Sequence, residues 1–206
     1  EFRRVLFRSW SALAALDDDR RRTTEGVARA AAWIAARAGG TEPARLAGAL
    51  EAIYGRDRTF AVPILVHATL CGRLGDPAEP APWRPVPQLP FELAALPQSW
   101  FRLVDLQVVS YALPALVAIG QVRHARAPSA TPARFLRDLA RGPTLRTLRA
   151  IQPGGGGYLE ATPLTSFVTM SLAGMDLAGH VVAREGTRFL VESQRGDGAW
   201  PIDTNL

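Results

Sequence analysis

Apolar residues recur at helical spacing in stretch after stretch of this chain, and no segment carries the alternation of a strand. Residues 25–38 set Val27, Ala31, Ile34 and Ala38 on one stripe that ends at Gly39-Gly40. Residues 43–54 gather Leu46, Leu50 and Ile53, with Thr41 as the expected N-cap and Glu42-Pro43 in the first turn. Residues 59–74 are apolar nearly all round, with Pro63 near their start, which predicts a buried helix. Residues 76–90 hold six prolines and cannot be helical throughout, so a rigid extended loop over the surface is expected.

The second half reads the same way. A short helical turn is expected over 91–96. Residues 103–122 are almost wholly apolar, with Pro114 inside, and fit either a buried core helix or a helix lying on a membrane. Residues 132–151 predict a pair of short amphipathic helices split at Gly142-Pro143. A flexible turn follows at 154–157. These glycines lack the strand–turn–helix setting and the Lys-Ser/Thr of a phosphate loop, so nucleotide binding is rejected. Residues 162–172, with Thr162 as N-cap and Pro163 at the first helical position, and residues 181–193 complete the helices. The fold class expected is all-α, built from antiparallel helix pairs with an internal repeat.

Composition removes several function classes. Hydrophobic residues make up 48% of 206, too many for a disordered chain. The single cysteine, Cys71, excludes a disulfide framework or a Cys-based zinc site within the chain. All 24 basic residues are Arg, and they lie scattered at helical spacing rather than gathered with aromatics, so no nucleic-acid partner is expected. His67, His124 and His180 stand without Asp, Glu or Cys at ligand spacing, so no metal is expected. Residues 1–9 fit no signal peptide. They resemble the translation of a sequencing adapter, through Leu6-Phe7-Arg8-Ser9, and are set aside as a non-native scar. The last residues, 201–206, stop where Asp203 or Thr204 could cap a further helix, so an internal piece of a longer protein is expected.

One spacing is distinctive. Phe189-Leu190 is followed by three residues, Gln194, three more, and then Gly198-Ala199-Trp200, with Gly186 three residues ahead of Phe189. Gln194 lies about one turn beyond Phe189 at a helix end, where its amide can stack on the Trp200 indole and bond free backbone groups. Gly198 permits the tight turn between them. This segment resembles the QW motif of the squalene–hopene and oxidosqualene cyclases, with Arg184 one step further from Gly186 than the motif's basic residue. A degenerate copy runs from Ala28-Arg29-Ala30 to Trp33-Ile34, without the Gln and Trp. Trp83-Arg84, Val86-Pro87, Leu89-Pro90, Glu92-Leu93, Leu96-Pro97 and Trp100-Phe101 are similar to a second stretch of the same cyclases, in the same order.

The resemblance spans about residues 26–206 and implies a partial α/α toroid over 10–195, with 196–206 opening the next repeat or a catalytic domain. It implies an isomerase of the class II terpene cyclase type, acting on a polyprenoid such as squalene by protonating a carbon–carbon double bond, without metal or organic cofactor. The acid must be an Asp kept protonated by burial and neighbouring carboxylates, and aromatic faces must hold the cation away from water. The family's Asp-x-Asp-Asp-Thr-Ala acid motif is not in this chain, so no catalytic residue is expected here and the piece alone should be inactive. Asp17-Asp18-Asp19, followed by three Arg, reads as a solvated turn. Ile202-Asp203-Thr204 is similar to a Trp-Asp-Thr element that borders the family's cavity, with Ile202 in place of Trp. Asp203, Thr204 and Glu160 are therefore the cavity candidates. Gly186, Phe189, Gln194, Gly198 and Trp200 form the structural repeat. Leu96, Trp100 and Phe101 would face the membrane and substrate entrance, on the cytoplasmic side. Two other readings share the helical pattern: a prenyltransferase β-subunit-like enzyme, or a non-catalytic helical repeat that binds lipid or protein.

Overall fold

The computed structural model describes residues 11–12, 21–54, 58–96 and 113–204. The described residues are all-α: α1 (Arg21–Ala38), α2 (Pro43–Tyr54), α3 (Arg58–Leu70), α4 (Leu113–Arg126), α5 (Ala133–Ile151), α6 (Thr162–Ala173) and α7 (Val181–Glu192). Short 3-10 turns sit at Ala81–Trp83, Phe91–Ala95 and Tyr158–Glu160. The only pairing of extended backbone among them is an isolated bridge between Ala161 and Asp203. The chain divides into two compact units, residues 1–87 and 88–206.

In the first unit α2 packs on α1 and on α3. Among the described side chains of α1, Ala30 and Ile34 are buried. The first helical residue of α2 is Pro43, and Leu46 N–H bonds the Glu42 carbonyl at 3.0 Å. The capping position is therefore Glu42 and not Thr41, because proline at the first position starts the helix one residue later than expected. Leu46, Ala47 and Leu50 are buried, but Ile53 is 60% exposed, so the last turn of α2 carries its apolar side chain beyond the contact. α3 is the most buried helix here, with Val62, Ile64, Leu65, Val66 and Ala68 all inaccessible or nearly so. It closes in a Schellman motif: Arg73 N–H bonds the Ala68 carbonyl at 2.8 Å, Gly72 N–H bonds Thr69 at 2.9 Å, and Gly72 takes φ 72°.

The proline-rich connection keeps most of its length at the surface, as expected, but turns Pro82, Trp83 and Val86 inward. Trp83 and Val86 are fully buried, and the 3-10 turn Ala81–Trp83 packs on α3. Burying the indole is tolerable because its N–H donates to the Pro77 carbonyl at 2.9 Å. Prolines lower the number of backbone donors that need partners, so a proline-rich loop can enter a core at less cost than an ordinary one.

In the second unit α4 packs on α6, α6 on α7, and α5 along the turn Phe91–Ala95. Residues 103–112 of the expected apolar helix lie outside the described residues. From Leu113 onward Val117, Ala118, Ile119 and Val122 are buried, so this part is a core helix. Gly120 lets the chain ahead of it approach: a methyl group there would lie 2.8 Å from the Phe91 Cβ and 3.0 Å from the Leu89 carbonyl. α5 is one helix, and Gly142-Pro143 does not split it. Pro143 removes the N–H that would bond the Leu139 carbonyl, and Leu139 lies on the exposed side of the helix, where a missing backbone bond costs less than it would in the core. On the buried side the Thr144 hydroxyl accepts from Gln121 Nε2 at 2.7 Å and donates to the Ala140 carbonyl, tying α5 to α4.

Candidate functional site

Two devices shape the region where the cavity candidates meet. The first is the glycine turn at 154–157. It is packed against α7 rather than loose: Gly156 has φ 88°, a methyl group on it would strike the Glu185 carbonyl at 2.3 Å, and one on Gly157 would strike the Phe189 ring at 2.4 Å. Gln152 clamps the turn from below, with Nε2 donating to the Gly156 and Val182 carbonyls at 3.0 Å each. Tyr158 is buried with its hydroxyl on the Leu148 carbonyl at 2.9 Å, and burial pushes the phenol well above its usual pKa.

The second is the left-handed pair Leu159 and Glu160, with φ 52° and 53°. Non-glycine residues reach this conformation at a cost on the order of 1 kcal/mol each. Thr204 holds it. Its N–H bonds the Glu160 carbonyl at 3.0 Å, and its hydroxyl lies 3.1 Å from the Glu160 carboxylate. The neighbouring pairs continue the tie: Ala161 bridges Asp203, Thr162 N–H bonds the Ile202 carbonyl at 3.3 Å, and the Thr162 hydroxyl donates to the Pro201 carbonyl. Thr162 is therefore not the cap of α6. Ala161 holds that position and Pro163 is the second helical residue, because the Thr162 hydroxyl is turned toward residues 201–204.

Glu160, Asp203 and Thr204, 43 or more positions apart along the chain for Glu160 and Asp203, are thus neighbours. Asp203 and Thr204 line an open depression of about 560 Å3, shared with Gly155, Phe189, Glu192, Ser193, Arg195 and Pro201. Glu192, Ser193 and Arg195 carry no chemical motif, so only their placement at the end of α7 reveals them. The depression has a mixed polar and apolar lining and is open to solvent.

The repeat residues form a clasp at the end of α7. Gly186 is buried, and a methyl group on it would meet the Thr169 hydroxyl of α6 at 2.5 Å, so it is what lets α6 and α7 pack closely. Phe189 is buried under the glycine turn. Gln194 Nε2 donates to the Gly198 carbonyl at 3.2 Å, Arg195 N–H to the Ala199 carbonyl at 2.9 Å, and Gly198 takes φ 83°. The Trp200 indole donates to the Leu190 carbonyl at 2.6 Å.

Leu96 is exposed, whereas Trp100 and Phe101 lie outside the described residues. The histidines are not isolated as the spacing suggested. His124 is 1% exposed, with Nε2 3.0 Å from Asp138 and Nδ1 accepting from Ser129 N–H at 3.4 Å. His67 Nε2 lies 3.7 Å from Cys71 Sγ. His180 caps α7, its Nδ1 accepting from Val182 N–H. Folding created these contacts. Burial pushes the Cys71 thiol up against the opposing pull of Arg73, which keeps it protonated and a poor nucleophile. Among the described residues no three His, Cys, Asp or Glu side chains gather to hold a metal, and no helix is long and apolar enough to cross a membrane. No family model, no curated protein and no solved structure matches this chain.

Proposed function

We propose that this chain is part of a class II terpene cyclase of the squalene–hopene type, an isomerase that folds a polyprenoid such as squalene in an α/α toroid and starts its cyclisation with a proton. One observation carries the reading: Gly186, Phe189, Gln194, Gly198 and Trp200, spaced like a QW motif, come together as one interlocked helix terminus. Each has the part its residue type suits. Glycine admits the neighbouring helix, the aromatic fills the core, the amide and indole bond carbonyls at the helix end, and the second glycine makes the turn.

In this reading the described residues are scaffold. Glu160, Asp203 and Thr204 form a hydrogen-bonded wall beside a cavity completed by other parts of the protein, and Leu96, Trp100 and Phe101 stand near its membrane-facing entrance. The proton donor is an Asp outside this chain, and the protein works at the cytoplasmic membrane face, where its apolar substrate resides.

The test is to express the uninterrupted gene and incubate the protein with squalene in detergent, following products by mass. Loss of squalene to a cyclic isomer of equal mass supports the reading. Turnover that requires zinc and a prenyl diphosphate would assign the chain to a prenyltransferase instead, and no turnover of either substrate would leave a lipid- or protein-binding repeat.

A further inference from the structure

α5 buries one face and leaves the opposite one uncovered. Ala140, Thr144 and Leu148 form its buried edge. On the far side Phe135, Leu139, Gly142 and Arg146 follow one another at steps of four, three and four residues, the spacing of a stripe along one helix face. Phe135 and Leu139 are 70% and 67% exposed, and Leu136 beside them is 58% exposed, although solvent-facing positions of a helix ordinarily carry polar residues. The stripe has a definite order. Two large apolar side chains come first, then a gap at Gly142, then the cation Arg146. Nothing fills the gap: a methyl group on Gly142 would have no neighbour closer than the Arg146 guanidinium, at 3.7 Å.

We propose that this stripe docks on the same stripe of a second copy of the chain, with the two α5 helices antiparallel about a two-fold axis at the level of Ala140 and Arg141. Self-complementarity selects this occupant. Aligning the helices along their full length sets Leu139 opposite the partner's Gly142 and Phe135 opposite the partner's Arg146, and the two-fold axis repeats both contacts. The leucine enters the hole left by the missing side chain, as a knob does between paired helices, and the guanidinium covers the ring face. No other protein is required, since one helix supplies both knob and hole. The arginines permit this order. Arg146 and the partner's Arg146 stay about 16 Å apart along the axis, from the helical rise per residue, and salt screens charges beyond about 8 Å. A parallel pair would instead bring them together. Arg134, on the flank, lies 3.6 Å from Asp138, and Arg137 is held inward by Glu92. The contact is small against the roughly 1,200–2,000 Å2 of a stable complex, so the dimer is a weak one that forms as concentration rises. The proposal does not rest on the reaction proposed above.

The 206-residue chain is followed by sedimentation velocity over a series of concentrations. It should pass from monomer to dimer and stop there, because a two-fold contact closes on itself. Gly142→Leu should fold as well as the unaltered chain, since open space surrounds that position and leucine favours a helix. It should nevertheless stay monomeric, because the hole is filled. Arg146→Gln should weaken the dimer about fivefold or more through the loss of two ring contacts. Phe135→Ser/Leu139→Ser should be monomeric throughout; should that variant not fold, Gly142→Leu decides. A chain that stays monomeric would leave the stripe to another protein or to lipid and overturn the proposal. An assembly that grows past two, or a dimer that survives Gly142→Leu, would overturn it as well. No substrate is present, so failure of the cyclase reading would leave this result untouched.

Discussion

The Trp200 indole nitrogen sits 2.6 Å from the Leu190 carbonyl oxygen, across the turn that follows α7. Leu190 is in the last turn of α7, where carbonyls have no partner within the helix. A residue ten positions downstream thus supplies the cap, and Gly198 with φ 83° makes the reversal that brings it back.

Replacing Trp200 with Phe keeps the ring and removes the donor. The site is half-exposed, so water can serve the carbonyl and the loss should be about 1 kcal/mol in urea unfolding. Gly198→Ala should lose a similar amount, about 1 kcal/mol, through the left-handed φ. The double variant should lose less than the sum, since one turn serves both. Strict additivity would mean that the turn and the indole cap are independent.

Gly186→Ala should destabilise by about 1–3 kcal/mol, because its methyl group would meet the Thr169 hydroxyl on α6. That hydroxyl has no hydrogen-bond partner. Thr169→Ala should therefore be mild alone and should rescue Gly186→Ala. Gly179, with open space around it and no left-handed φ, should accept Ala with little change. Chemical denaturation of the variants checks all four.

Thr204→Val should loosen the wall around Glu160 by removing the hydroxyl while leaving the backbone N–H bond, at about 1 kcal/mol. Leu159→Asn should act in the opposite sense. Leu159 is 59% exposed and left-handed, a conformation Asn tolerates better, so thermal stability should rise by up to about 1 kcal/mol. A lower melting temperature for Leu159→Asn would show that the leucine side chain makes a contribution its exposure conceals.

Asp138 should give the protein part of its acid sensitivity. The hydrogen bond from His124, aided by the charges of His124, Arg134 and Arg141, holds its carboxyl below the usual 3.8 and outweighs the opposing effect of burial. A depressed folded pKa contributes stability that is fully present above the unfolded value and is lost as pH falls through the folded one. Asp138→Asn should therefore flatten the fall in melting temperature below about pH 4 and change its slope little near neutrality. An unchanged acid limb would mean that the His124 contact does not favour the charged carboxylate.

Helix type and most helix positions were legible in the sequence, because apolar periodicity and the glycine and proline stops act within a few residues. The departures from the sequence share a physical form. Pro143 predicts a break, but the exposed side of the helix tolerates the missing bond. Thr162 suits a cap, but its hydroxyl bonds the Pro201 carbonyl. The prolines of 76–90 predict a surface loop, but Trp83 within it is buried with its N–H on the Pro77 carbonyl. In each case a local preference was overruled by a group distant in sequence or by the solvent exposure of the site.

The candidate site divides in the same way. The spacing from Gly186 to Trp200 announced the clasp, since five residues within one helix end and one turn meet through local geometry. Glu160 and Thr204 were singled out separately, and nothing in the sequence joins them. By itself the sequence determined an all-α chain and the helix terminus at Trp200, because both depend on interactions a few residues long. Only the tertiary structure decided that Thr204 holds Glu160, that His124 meets Asp138, and that one side of α5 stays bare, because those depend on which helices pack together.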